Sequence, residues 1–172
     1  MNKPVTIRLE AQWRIFRGVC PRTHCATLLE GGGPAPGTHL AEKTSGHNTT
    51  TLAGGGVFFN NNAGASATFE NCTFTGNSVT NDAGGGVILV SNGNLNITNC
   101  VFEDNISSDK GGAIVAGNSA IVTISGSLFD GNSGTRGGAI AVTGNGVDFI
   151  LNNSTFVNNT ATSSDGGAMY LG

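Results

Sequence analysis

One sequence unit recurs through the last three quarters of this chain, and its regularity excludes most folds at once. A block of two glycines, a small residue and an aliphatic residue occurs five times. The copies are Gly54-Gly55-Gly56-Val57, Gly84-Gly85-Gly86-Val87, Gly111-Gly112-Ala113-Ile114, Gly137-Gly138-Ala139-Ile140 and Gly166-Gly167-Ala168-Met169, spaced 30, 27, 26 and 29 residues apart. Between them runs a second unit, Phe-x-x-Asn, at Phe74 to Asn77, Phe102 to Asn105, Phe129 to Asn132 and Phe156 to Asn159, spaced 28, 27 and 27. The gap from Asn to the next Gly-Gly varies from five to seven residues, and that from Gly-Gly to Phe from 18 to 20. Loops at two places in each copy absorb the difference.

Aligned on Phe, the copies show further columns. Phe69, Ile97, Ile124 and Leu151 coincide, as do Ala67, Leu95, Val122 and Phe149 two places earlier. Polar residues stand between them, except at Ile150, and spacing of two describes a strand with one buried face. Asn71, Asn99, Gly126 and Asn153 form a corner column, and Cys72, Cys100, Ser127 and Ser154 a small column on the same face as the Phe. Each copy therefore reads as three short strands and three turns. Coils of about 27 residues that repeat in register stack on one another at about 4.8 Å. The Phe and aliphatic columns become interior ladders, each fully buried side chain contributing about 1.5 to 3 kcal/mol. Asn columns lock the turns, and the Gly pairs stand where backbone passes close to the next coil. Parallel connections are overwhelmingly right-handed. The expected fold is all-β: a right-handed, single-stranded parallel β-helix over residues 46–172.

Composition agrees. The chain has 28 glycines in 172 residues and only 11% charged residues, a balance that disfavours helix and lacks the high net charge of disordered chains. Residues 1–45 lack the pattern. Val5, Ile7 and Leu9 alternate like a strand, Trp13, Ile15 and Phe16 suit packing on an open rung, and 31–37 is a Pro-Gly loop. Both an N-terminal cap and an unrelated leader fit. Six basic residues (Lys3, Arg8, Arg14, Arg17, Arg22, Lys43) and three acids (Glu10, Glu30, Glu42) give the first 43 positions a net charge of +3. The rest has two bases and eight acids, net -6, which argues against nucleic acid as a partner of the array. No run has the length of a transmembrane helix, and no signal peptide is evident. The array is expected to be truncated after Tyr170-Leu171-Gly172, with open rung ends suited to end-to-end self-association.

The alternation of Gly-Gly-Ala-Ile with Phe-x-x-Asn resembles the repeat of the chlamydial polymorphic outer membrane proteins. It covers about 125 residues; two copies depart from it, reading Gly-Gly-Gly-Val. The resemblance implies an autotransporter-like passenger, a right-handed β-helix displayed on the cell surface or secreted, with adhesion as its role. It also implies an export signal and a membrane barrel, neither of which is expected within these 172 residues.

Candidate sites are few. Cys20, His24 and Cys25 supply three local ligands where a zinc site takes four, so a small-loop disulfide or free thiols are the competing readings. Cys72 and Cys100 share an inward column on adjacent rungs, where in-register side chains point the same way and an unstrained disulfide dihedral is hard to reach. They are expected as buried thiols. Lys110, Arg136 and Asp165 each precede Gly-Gly, with Asp82 and Asp109 nearby, and read as solvated charge pairing. Glu103 and Asp130 align and Asp104 is adjacent, a weak cation site at most. Sequons at Asn71, Asn96, Asn105 and Asn158 follow from composition. No cofactor or metal is expected. Two functions compete: a non-catalytic adhesin or passenger segment that binds a host-surface protein, matrix or glycan, and a fragment of a pectate-lyase-like enzyme whose catalytic rungs, with clustered acids and a basic residue, lie elsewhere. An ice-binding solenoid would need rows of Thr-x-Thr, which are missing.

Overall fold

In the computed structural model the chain is a right-handed β-solenoid of about four turns, with no helix among the described residues. It describes the backbone of residues 13–16, 28–31, 38–41, 44–46, 49–50, 57–80 and 85–172, and side chains from Val57 onward except at 59, 60, 62, 81–84 and 164. The strands are β1 (Trp13–Phe16), β2 (Leu28–Gly31), β3 (Thr38–Ala41), β4 (Thr44–Gly46), β5 (Thr49–Thr50), β6 (Phe58–Glu70), β7 (Thr73–Thr75), β8 (Ser78–Val79), β9 (Ile88–Thr98) and β10 (Val101–Glu103). They continue as β11 (Ile106–Ser107), β12 (Ile114–Ser125), β13 (Leu128–Asp130), β14 (Ser133–Arg136), β15 (Ile140–Thr143), β16 (Asp148–Asn152), β17 (Thr155–Val157), β18 (Thr160–Asp165) and β19 (Met169–Leu171).

Three parallel sheets result. The first runs β2-β6-β9-β12-β15-β19, with β3 on β6 and β16 on β12; the second is β4-β7-β10-β13-β17; the third is β5-β8-β11-β14-β18. Only β1, antiparallel to β2, departs from parallel pairing among the described strands. The stacking extends upstream of residue 46, since β2, β3 and β4 pair in register with the following turn.

The aligned columns are the observed registers. Phe69, Ile97, Ile124 and Leu151 pair successively, as do Ala67, Leu95, Val122 and Phe149. The glycine block needs a correction. Ile88 pairs with both Phe58 and Ile114, so Gly85-Gly86-Val87-Ile88 stands in register with Gly111-Gly112-Ala113-Ile114, one residue later than the sequence alignment placed it. A run of three glycines hides its own register, whereas the inward-facing Ile88 cannot be displaced by one residue without turning to the opposite face. In this register the second copy reads Gly85-Gly86-Val87-Ile88 and departs from Gly-Gly-Ala-Ile only at Val87; Gly54, Gly55 and Gly84 lie outside the described residues.

The first strand of each copy is also longer than the expected short one. β6, β9 and β12 span 13, 11 and 12 residues. Each holds two arms joined at a register shift, such as that between Ala116 and Ser119. In the last turn the arms separate into β15 and β16. Left-handed backbone at Gly93 (φ 87°) and Asn118 (φ 52°) makes the bend.

Like stacks on like inside. Phe74, Phe102, Phe129 and Phe156 lie face over face, with centroids 4.7, 4.8 and 4.7 Å apart and planes within 11°. Those separations match the strand spacing. Beside them runs a buried asparagine ladder. Asn105 Nδ2 donates to Asn132 Oδ1 at 2.9 Å and to the Phe74 carbonyl at 2.9 Å, and the Asn105 backbone N–H donates to the same Oδ1 at 3.1 Å. Asn132 repeats the pattern on Asn159 and Phe102. The parallel column Cys72, Cys100, Ser127, Ser154 works likewise: each Sγ or Oγ donates to the carbonyl two residues earlier, and those of Cys100, Ser127 and Ser154 accept the backbone N–H of the column residue one turn before.

The two ladders differ in what tolerates replacement. Asn132→Ala strands the Asn105 N–H and amide and the Phe102 carbonyl, and is expected to cost about 3 kcal/mol or more. Cys100→Ser keeps the hydrogen bonds that Ser127 already makes one turn on, and is expected to stay within about 1 kcal/mol of the parent chain. Urea denaturation of the two variants checks both values.

Candidate functional site

The outward positions of the three sheets decide what the solenoid can meet. On the second arm of the first sheet the outward columns are Ser66-Asn94-Ile121-Asp148, Thr68-Asn96-Thr123-Ile150 and Glu70-Thr98-Ser125-Asn152. Alternation places them there because their neighbours Leu95, Ile97, Val122 and Ile124 are fully buried. Ser125 Oγ and Thr98 Oγ1 lie 3.3 Å apart, joining two turns across the surface. At the bend, Asn92 Nδ2 donates to Asn61 Oδ1 at 2.7 Å. The face is rich in amides and hydroxyls, with carboxylates only at its margins and two half-exposed isoleucines, Ile121 and Ile150.

The second sheet presents Thr75-Glu103-Asp130-Val157 outward. Glu103 and Asp130 therefore stand one turn apart, as the alignment expected, and Asn158 Nδ2 donates to Asp130 Oδ1 at 3.1 Å. Asp104 has a different task. It sits at a corner with φ 52°, in a column with Gly76 (φ 62°), Gly131 (φ 64°) and Asn158 (φ 54°). The sequence reading missed this column, although a Gly, Asp, Gly, Asn series directly before the ladder Asn is what a left-handed corner selects. The corner Asn71, Asn99, Gly126 and Asn153 is left-handed as well, with φ between 47° and 59°. Among the described residues no three His, Cys, Asp or Glu side chains converge on a point that would hold a metal ion.

Ahead of the glycine block, Arg136 and Asp165 pair in register, with Arg136 Nε 4.0 Å from Asp165 Oδ2 and both side chains about half exposed. The guanidinium also lies 5.7 Å from the centre of the Tyr170 ring. Beneath this loop lies a second small apolar column that the sequence reading did not find: Leu89, Val115, Ala141 and Tyr170, on the outward side of the first arm. Gly111 lets the loop close over it, since a Cβ there would stand 3.0 Å from the Val115 side chain. Two hydrophobics per turn on opposite faces, as in Ile114-Val115, were the signal for it.

Cys72 and Cys100 are buried free thiols. A hydrogen bond to the Cys72 side chain, reinforced by burial, holds the Cys100 thiol far above the usual cysteine range. Of the sequons, Asn105 is locked in the interior ladder, whereas Asn71, Asn96 and Asn158 are exposed. Cys20, His24, Cys25 and Asp82 lie outside the described residues.

Against known proteins, a family described as right-handed beta helix region matches residues 35–172. The chain belongs to this β-helix family. No curated protein and no solved structure matches it. No described helix is long and apolar enough to cross a membrane. What the β-helix offers chemically is a set of parallel side-chain columns, among them the stacked Glu103 and Asp130 carboxylates and the Arg136–Asp165 pair.

Three measurements follow from these contacts. Arg136→Ala is expected to cost less than about 1 kcal/mol, because an exposed pair at 4.0 Å is screened by solvent. Thermal melting at low and high salt reads this. The neutral state of the folded Cys100 thiol should make stability fall as pH rises past the ordinary thiol pKa of about 8.5, where only the unfolded chain ionises. A thiol reagent at pH 8 should accordingly leave Cys72 and Cys100 unlabelled until urea unfolds the chain, as peptide mapping will show.

Proposed function

We propose that this β-helix is a non-catalytic binding scaffold, displayed at a cell surface or secreted, that acts as an adhesin or passenger segment toward a host-surface protein, matrix or glycan. The observation that carries the reading is the outward face of the second arm, where amide and hydroxyl columns run in register across successive turns. Such a face supplies many weak hydrogen-bonding positions at a fixed interval of about 4.8 Å, which suits an extended, uncharged ligand better than a single small molecule. The resemblance of the repeat to the chlamydial polymorphic outer membrane proteins supports the same reading, and so does the net charge of -6 over the array, which disfavours nucleic acid. The β-helix fold occurs in enzymes and non-enzymes alike. A catalytic role would call for clustered acids beside a basic residue on one outer face.

The test is binding of the full chain to immobilised neutral polysaccharides and to host-cell surfaces, beside the triple variant Asn96→Ala, Thr123→Ala and Ser125→Ala. These positions point outward, so the variant should keep the parent's fold and lose only the Ser125–Thr98 hydrogen bond, about 0.5 to 1.5 kcal/mol of stability. Losing two or three hydrogen bonds of about 0.5 to 1.5 kcal/mol each should weaken binding about fivefold or more. Equal binding by the variant would remove this face from consideration, and release of cut polysaccharide ends would replace the scaffold with an enzyme.

A further inference from the structure

The chain contains two Asn-Gly pairs, Asn92-Gly93 and Asn145-Gly146, and the fold treats them differently. Asparagine before glycine is the pair best able to cyclise, because no Cβ hinders approach of the glycine amide nitrogen to the side-chain carbonyl. In β9 that approach is blocked. Asn92 Nδ2 is held by Asn61 Oδ1 at 2.7 Å, and Gly93 is buried and in register with Ala120 of the next turn.

Asn145 stands in the opposite situation. It occupies the turn of residues 144–146 that separates β15 from β16, where all three residues are exposed. Gly144 (φ 150°) and Gly146 (φ 78°) give the turn backbone that few other residues adopt. Neither the Asn145 side chain nor the Gly146 amide takes part in any hydrogen bond of the described structure. A side chain at Gly146 would meet only Ser119 Oγ, at 3.8 Å, so the space around the turn is open.

We infer that Asn145 is a self-modification site, converting in the folded protein to aspartate and isoaspartate through a cyclic imide while Asn92 stays intact. The Gly146 nitrogen loses its proton to water and attacks Asn145 Cγ. A bond forms between that nitrogen and Cγ, the Cγ–Nδ2 bond breaks, and ammonia leaves carrying the proton. Water then adds to either carbonyl of the imide. Opening at one restores the normal backbone as aspartate; opening at the other routes the main chain through the side-chain methylene. No oxidant or reductant takes part. The product adds a negative charge three residues before Asp148, and in the isoaspartyl form lengthens the turn between the two arms. The ladders of the interior are untouched, so the modified chain keeps its fold. The isoaspartyl carboxylate is a group that a carboxyl methyltransferase specific for isoaspartate accepts.

The test incubates the full chain at pH 8 and 37 °C, folded and in urea, and follows both Asn-Gly peptides by mass. Transfer of labelled methyl groups by an isoaspartyl methyltransferase reports the isomer. In the folded chain Asn145 should convert at least about tenfold faster than Asn92, equivalent to 1.4 kcal/mol of protection at Asn92. In urea the two rates should approach each other. Asn145→Gln should abolish methyl transfer to the peptide that carries residue 145 in the folded chain, with an unchanged circular dichroism spectrum, and Asn92→Gln should leave transfer to that peptide as it was. Equal conversion of both sites in the folded chain, or an intact Asn145 over a period in which the urea-unfolded chain converts, overturns the inference.

Discussion

Everything in this molecule depends on stacking identical geometry at a fixed interval of about 4.8 Å, with each backbone hydrogen bond made to the turn above or below. That constraint makes a polar interior tolerable. A buried asparagine normally brings more donors and acceptors than an apolar core can match. Here its neighbour is another asparagine in the same pose, so Asn105 satisfies its amide on Asn132 and Phe74, and Asn132 does so on Asn159 and Phe102. The phenylalanine stack obeys the same rule, since flat rings accept a separation of 4.7–4.8 Å. A branched side chain in that column would have no equally flat contact to offer.

The interior was legible in the sequence because each inward column repeats a narrow range of shapes. Ile97 over Ile124 and Phe102 over Phe129 could be aligned by counting from the Phe-x-x-Asn unit, and both pairs stand in register. The glycine block was less legible for a physical reason. Glycine carries no side chain to say which face it belongs to, and three in succession at positions 84–86 left a one-residue ambiguity that only Ile88 resolves. The bend in the long strand was hidden as well. It is made by Gly93 in one turn and Asn118 in the next, residues that a reader assigns to any loop, and it varies in length from turn to turn.

The outer surface followed a different logic. Outward residues answer to solvent and to whatever the protein meets, so their columns are mixed: Thr75, Glu103, Asp130 and Val157 share one. The candidate face on the second arm could be located by alternation, but its chemistry had to be read column by column. The left-handed corner at Asp104 shows the risk of reading charge alone. It stands beside the aligned carboxylates Glu103 and Asp130, while its backbone conformation explains why a small polar residue stands there.

The two sides of the solenoid also differ in freedom of length. From the corner Asn or Gly through Phe to the ladder Asn, every turn spends the same number of residues, because two left-handed corners and two interior ladders fix that span. From the ladder Asn onward, through the loop before the glycine block and the bend in the first sheet, the count changes from turn to turn. Inherited or engineered insertions can accumulate there without shifting any ladder out of step. The molecule thus combines a spine of invariant length with a margin on which new segments can be written, one turn at a time.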